Sequence, residues 1–136
     1  MTLYLWPLLF VCQIGSVAYF HGEALLKGCP SATKVKISTI VIGELYHGFY
    51  GGKRFTENVR ILNEFLVQPV VELVPVCCQT AEVFGEMIAP LKNKGVTIPT
   101  NDIWVAAVSF VNQTTLLTSD SNFKYFPQVR TVMPSR

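Results

Sequence analysis

Thr100-Asn101-Asp102-Ile103-Trp104-Val105-Ala106-Ala107 is the stretch on which the reading of this chain turns, and Leu116-Leu117-Thr118-Ser119-Asp120 comes closely behind it. The first stretch opens a helix. Ile103, Trp104, Val105, Ala106, Ala107, Val108, Phe110 and Val111 leave that helix almost no polar face, so it is expected to be enclosed. Asp102 falls in its first turn, where the positive helix end favours a carboxylate. Thr100 or Asn101 is expected to cap it. The second stretch is a short buried strand that releases Asp120 at its end. Each acid alone reads as an ordinary helix-end or loop residue. Two acids at such edges together suggest a metal site.

Working outward, Val35-Lys36-Ile37 predicts a short strand, and Ser38 or Thr39 can cap the next helix. Val41, Leu45 and Phe49 mark the apolar stripe of that helix, which places Glu44 on or beside the inward face. A carboxylate there is costly unless it is paired or bound to metal. A surface glutamate at a helix edge is the equal alternative. Thr56 is expected to cap a second helix carrying Val59, Leu62 and Leu66, so that the two helices form a hairpin whose apolar surface suits a dimer interface. Val70–Pro75 reads as a brief strand. Cys77–Lys94 reads as a helix disturbed by Pro90 and closed by Gly95. Glu82 and Glu86 avoid its apolar stripe and read as solvated acids. Thr115–Thr118 and Val129–Met133 read as two more strands, and Tyr4–Val11 as the first.

This order of elements predicts a compact three-layer α/β fold with a mostly parallel sheet, a single domain over 1–136 with residues 1–16 atypical. In such folds the groups beyond the carboxyl ends of the strands converge on the ligand crevice, which Asp120 and Asn122 can both reach. A net charge of +2 is too small to argue nucleic-acid binding by field alone. The four cysteines do not have the spacing of a disulfide framework or a zinc site, and are read as buried free thiols in a reducing, cytoplasmic setting. Residues 3–20 are long and apolar enough to raise membrane attachment. Pro7, Gly15 and the lack of any Lys or Arg before Lys27 argue instead for a buried strand and its next segment. His21 reads as a turn residue. There is no Gly-rich phosphate loop and no Ser-His-acid or Cys-His set. The chemistry left is that of carboxylates holding a divalent cation.

Ile37-Ser38-Thr39-Ile40-Val41-Ile42-Gly43-Glu44-Leu45-Tyr46-His47-Gly48 resembles the second-acid motif of PIN-domain ribonucleases of the VapC toxin type. Asn101-Asp102-Ile103-Trp104-Val105-Ala106-Ala107 resembles the third, and Leu117-Thr118-Ser119-Asp120-Ser121-Asn122-Phe123 the fourth. The resemblance runs over residues 17–133. It implies a magnesium- or manganese-dependent endoribonuclease of a toxin–antitoxin system, with an RNA substrate, an antitoxin partner and a homodimeric state. It implies that Glu44, Asp102 and Asp120 surround the metal, with Ser38 or Thr39 in support, Asn122 where a further acid is common, and Asn101 holding the helix entry. The departure is at the start. The first-acid motif is expected near Cys12-Gln13-Ile14, yet no Asp or Glu precedes Glu23. A replaced or frameshifted N-terminus on a toxin-like body is one reading of that departure. Two functions therefore stand side by side: a toxin-like endoribonuclease impaired by the missing acid, and a catalytically inactive PIN-like module that binds an antitoxin or a partner subunit.

Overall fold

A four-residue strand, β1 (Thr2–Leu5), lies in the middle of the sheet. The structure is a computed structural model and describes residues 2–5, 34–118 and 120–132. Four further strands are β2 (Lys34–Ser38), β3 (Val71–Val74), β4 (Thr115–Leu117) and β5 (Thr131–Val132). They pair in the order β3-β2-β1-β4-β5, every pair parallel. Parallel neighbours need crossovers, and helices supply them. Helices α1 (Thr39–Gly51) and α2 (Phe55–Leu66) join β2 to β3, and α3 (Cys78–Asn93) and α4 (Thr100–Val111) join β3 to β4. A short 3-10 helix, Ser121–Tyr125, comes after β4. The α/β fold with a parallel sheet flanked by helices is the one that the order of sequence elements predicts.

The first strand begins two residues earlier than expected. Leu3 is in register with Val35 on one side and Thr115 on the other, and Leu5 with Leu117, and pairing already begins at Thr2, ahead of the expected Tyr4. Backbone pairing on both edges sets that register. Residues 6–11 lie outside the described residues, as do Cys12-Gln13-Ile14, the turn at His21, the helix expected from Ala24, and Cys29. Among the described residues no helix is long and apolar enough to cross a membrane.

Burial tracks the sequence periodicity. Val35 and Ile37 of β2 are fully buried, while Lys36 between them turns outward and meets Glu72, its register partner on β3, at 3.6 Å. Val41, Leu45 and Phe49 form the inward stripe of α1 at four-residue steps. Ile61, Leu62 and Phe65 do the same for α2. On α4 seven consecutive or near-consecutive residues, Asp102, Ile103 and Val105 through Ser109, are buried. The enclosed helix expected there is therefore found. Ser109, the one hydroxyl deep on that helix, is satisfied by Thr114, whose Oγ1 lies 2.9 Å away and whose carbonyl lies 3.2 Å away. Trp104 emerges on the flank and stacks on Phe84 of α3, with ring centroids 4.0 Å apart. Helix α3 continues through Pro90, and Gly95 closes it at φ +66°.

Local corrections cluster at helix starts. Arg54, not Thr56, stands at the N-cap of α2, and Pro99, not Thr100 or Asn101, at that of α4; neither start has a side-chain cap. Proline fixes the backbone there without a hydroxyl, which frees the side chain of Asn101 for another partner. Cys77 and Cys78 are exposed at the start of α3, not buried. The Cys77 thiol lies 3.3 Å from the Thr80 hydroxyl, which holds its pKa below the ordinary thiol value.

Ser38 ends β2 and caps α1 with no loop between. Its Oγ accepts from the backbone N–H of Ile40 at 3.1 Å and of Val41 at 3.4 Å, and the residue is fully buried. Replacing a cap serine costs about 1 kcal/mol in typical proteins. Ser38→Ala is therefore expected to lower the urea midpoint by about that amount of stability, with an unchanged denaturant slope.

Candidate acidic site at the carboxyl edge of the sheet

The chain runs outward from β1 through β2 to β3, then returns to β4 on the other side of β1. This reversal leaves a crevice at the carboxyl edge, where ligands bind in open α/β sheets. Three carboxylates come from the elements around it. Glu44 sits on α1, which starts where β2 ends; Asp102 sits in the first turn of α4; Asp120 lies just past β4.

Asp102 is the most enclosed of the three, with 4% of its surface exposed. Burial pushes its carboxyl above the ordinary range. The Asn122 amide opposes that shift, and the charges of Asp120 and Glu44 add to it.

Two asparagines tie them. Asn122 Nδ2 donates to Asp102 Oδ2 at 2.9 Å, and the backbone N–H of Asn122 donates to Asp120 Oδ1 at 2.8 Å. Asn101 Nδ2 donates to Glu44 Oε1 at 2.9 Å, across 57 residues of sequence. Thr118 Oγ1 accepts from the Asp120 N–H at 3.0 Å and so fixes the turn beyond β4. The second oxygen of Glu44, Oε2, is buried and has no hydrogen-bond partner among the described residues.

Beside Glu44 lies an open groove of about 410 Å³, lined by Thr39, Ile40, Gly43, Glu44, His47 and Asn101. Ser38, expected to support the acids, spends its hydroxyl on the α1 cap, whereas Thr39 faces the groove. Asn101 does more than hold the helix entry, since it reaches across to α1. Thr118 and His47 had no place in the sequence reading of the site. His47 stands three residues after Glu44, a helical neighbour, and that spacing was the available signal. Glu82 and Glu86 are exposed, as solvated acids should be.

Carboxylate oxygens are suitable donors for a hard divalent cation. Closeness is a separate matter. Among the described residues no group of three or more His, Cys, Asp or Glu side chains is gathered so as to hold a metal ion. The described donors fit such a centre in chemistry but not in arrangement.

The fold and the edge site can be set beside known proteins. The PIN domain profile matches residues 20–128, so the chain belongs to the PIN-domain family. It is related to the VapC-type toxins of type II toxin–antitoxin systems. Ribonuclease VapC2 of Rickettsia felis is 29% identical over 113 residues, covering 82% of this chain and 81% of that protein. The crystal structure of VapBC2 from Rickettsia felis bound to a DNA fragment from their promoter superposes with a TM-score of 0.82 at 25% identity, covering 99% of this chain and 100% of the other. VapBC-1 from nontypeable Haemophilus influenzae shares the fold at a TM-score of 0.80 and 19% identity, over 98% of each chain.

The raised carboxyl of Asp102 carries a pH dependence. Its native pKa lies above the unfolded value, so the native state holds the proton more tightly. Stability therefore falls as pH rises from the ordinary aspartate value through the native one, and the full cost of ionising Asp102 is present above both. Asp102→Asn, which keeps an acceptor for Asn122, is expected to be more stable than the wild type at neutral pH. Urea titrations at successively lower pH are expected to close the gap as Asp102 takes up its proton.

Proposed function

We propose that this chain is a catalytically inactive PIN-domain module that acts by binding a partner protein, an antitoxin or a second toxin-type subunit, rather than by cutting RNA. The observation that carries this reading is the missing carboxylate. No Asp or Glu precedes Glu23, so the central strand β1 and the residues just past it bring no acid to the crevice. The tied state of the remaining acids supports it further, because Glu44, Asp102 and Asp120 each accept from an asparagine. A cation-assisted hydrolysis needs oxygen ligands free to converge on one ion, and misplacement alone costs about 10²-fold in rate.

A binding role has a surface to use. Along α2, Thr56, Val59, Arg60, Asn63, Glu64 and Val67 line a shallow groove of about 520 Å³. Val67 is 80% exposed, and Tyr50 at the end of α1 is 75% exposed. We read the apolar side chains of this groove as part of the face that a partner would cover. The VapBC2 relative was crystallised with promoter DNA. For this chain the corresponding expectation is a toxin–antitoxin type of assembly.

The hydrolytic reading keeps two observations of its own. Glu44 Oε2 is buried without a partner among the described residues, and the three carboxylates repel one another at Asp102. A magnesium or manganese ion would answer both. In that reading Glu44, Asp102 and Asp120 supply the ligands, and the activity is a weak endoribonuclease.

A cleavage assay of the purified chain on several RNAs, with magnesium and with manganese, separates the two readings. No cleavage above background is expected, and Asp102→Asn is expected to change nothing. Robust cleavage that Asp102→Asn abolishes would overturn the inactive reading. Leu5 is in register with Leu117, three residues before Asp120, so a restored acid belongs just past β1. Trp6→Asp or Pro7→Asp is expected to raise cleavage, and Cys12→Asp and Gln13→Asp test the position that the sequence motif suggests. On the binding side, light scattering with a candidate antitoxin is expected to report a complex that Val67→Asp weakens roughly tenfold or more, because an unpaired charge is costly to bury.

A further inference from the structure

We propose that Asn122 is a positioning residue, a neutral clip between Asp102 and Asp120 that holds the acidic edge together without a cation. The inference rests on the proposed inactive function and deepens it.

The geometry is specific to one residue. Asn122 donates twice, from its side chain to Asp102 on α4 and from its backbone to Asp120 beyond β4. The two aspartates belong to elements separated by β4 and its turn. They carry like charges in a setting where Asp102 is almost wholly removed from water. Like charges brought together in such a place need something positive between them. In a metal site that is the ion. In this chain it is the partial positive charge of an amide and of a peptide N–H. Both bonds end on a carboxylate, which places them among the stronger hydrogen bonds of proteins.

A clip of this kind and an ion respond differently to substitution. An amide donates; a carboxylate in the same place cannot. Asn122→Asp sets a third carboxylate against Asp102 Oδ2 and turns a donor–acceptor contact into a repulsion. That variant is expected to need a cation that the wild type does not. Asn122→Ala removes the donor and adds no charge, so it is expected to lose stability without acquiring that need.

Asn101 is a parallel case on the other side of the crevice, where its amide holds Glu44 Oε1. It meets one carboxylate only and is itself exposed. The bridging role belongs to Asn122.

The test uses the full chain. Urea unfolding of wild type, Asn122→Ala, Asp102→Ala and the double variant forms a cycle that reads the Asn122–Asp102 bond. Asn122→Ala alone is expected to raise the unfolding constant about tenfold, and markedly less in the Asp102→Ala background. Thermal unfolding with and without manganese is the second arm. Without divalent cation Asn122→Asp is expected to melt roughly 5 °C below the wild type, and manganese is expected to restore it while leaving wild type and Asn122→Ala unmoved. Additivity in the cycle overturns the clip. So does an Asn122→Asp chain as stable as the wild type without cation. RNA cleavage by the wild type alongside a non-additive cycle would overturn the inactive reading and support the clip, so the two failures are distinguishable.

Discussion

A carboxylate sealed into the first turn of an apolar helix has to be held by something, and the way Asp102 is held organises the rest of the site. Ile103 and Val105 through Ser109 draw the helix inward, and Asp102 goes with them. Its charge is then almost out of reach of water, and burial pushes its carboxyl upward. The helix dipole favours the anion at this end, but only by a fraction of what desolvation takes away. The deficit is met by Asn122, whose own position depends on the turn that Thr118 and Asp120 build beyond β4. Helix, strand end and 3-10 turn are thus locked to one another through a single acid.

The sheet order places that acid where it can matter. β1 separates the two halves of the sheet, and the crevice opens where the chain changes direction on either side of it. The Ser38 cap starts α1 at the end of β2 without a loop, which brings Glu44 to the same edge. Among the described residues a PIN-type scaffold is laid out around the crevice, although its carboxylates are tied by amides and not gathered as a metal-holding group. Scaffold and chemistry are two separate attainments of the chain.

Much of this was legible in the sequence because it depends on period and composition. The apolar run from Ile103 to Val111 has no polar side to leave in water, so its enclosure could be read directly, and the four-residue steps of Val41, Leu45 and Phe49 located the face of α1. The parallel sheet could be read from the alternation of strands and helices. The features that escaped were settled by contacts between distant segments. Asn101 looked like a cap because a cap is the local use of asparagine; its actual partner lies on α1, and no local rule reports it. The start of the first strand escaped as well, since a wholly apolar stretch offers no alternation from which to read it, and pairing with β2 begins at Thr2. The thiols of Cys77 and Cys78 looked buried by composition, but they stand at a helix start on the surface.

The central strand has one more implication. β1 is held on both sides through main-chain N–H and C=O groups, which are the same whatever side chains accompany them. A change of side chains at its far end can erase a chemical property while the ladder forms as before. The N-terminal segment is in this sense a beam with a detachable tool. A protein of this kind can survive as architecture after losing a function, and it then stays available for uses that need only its outline.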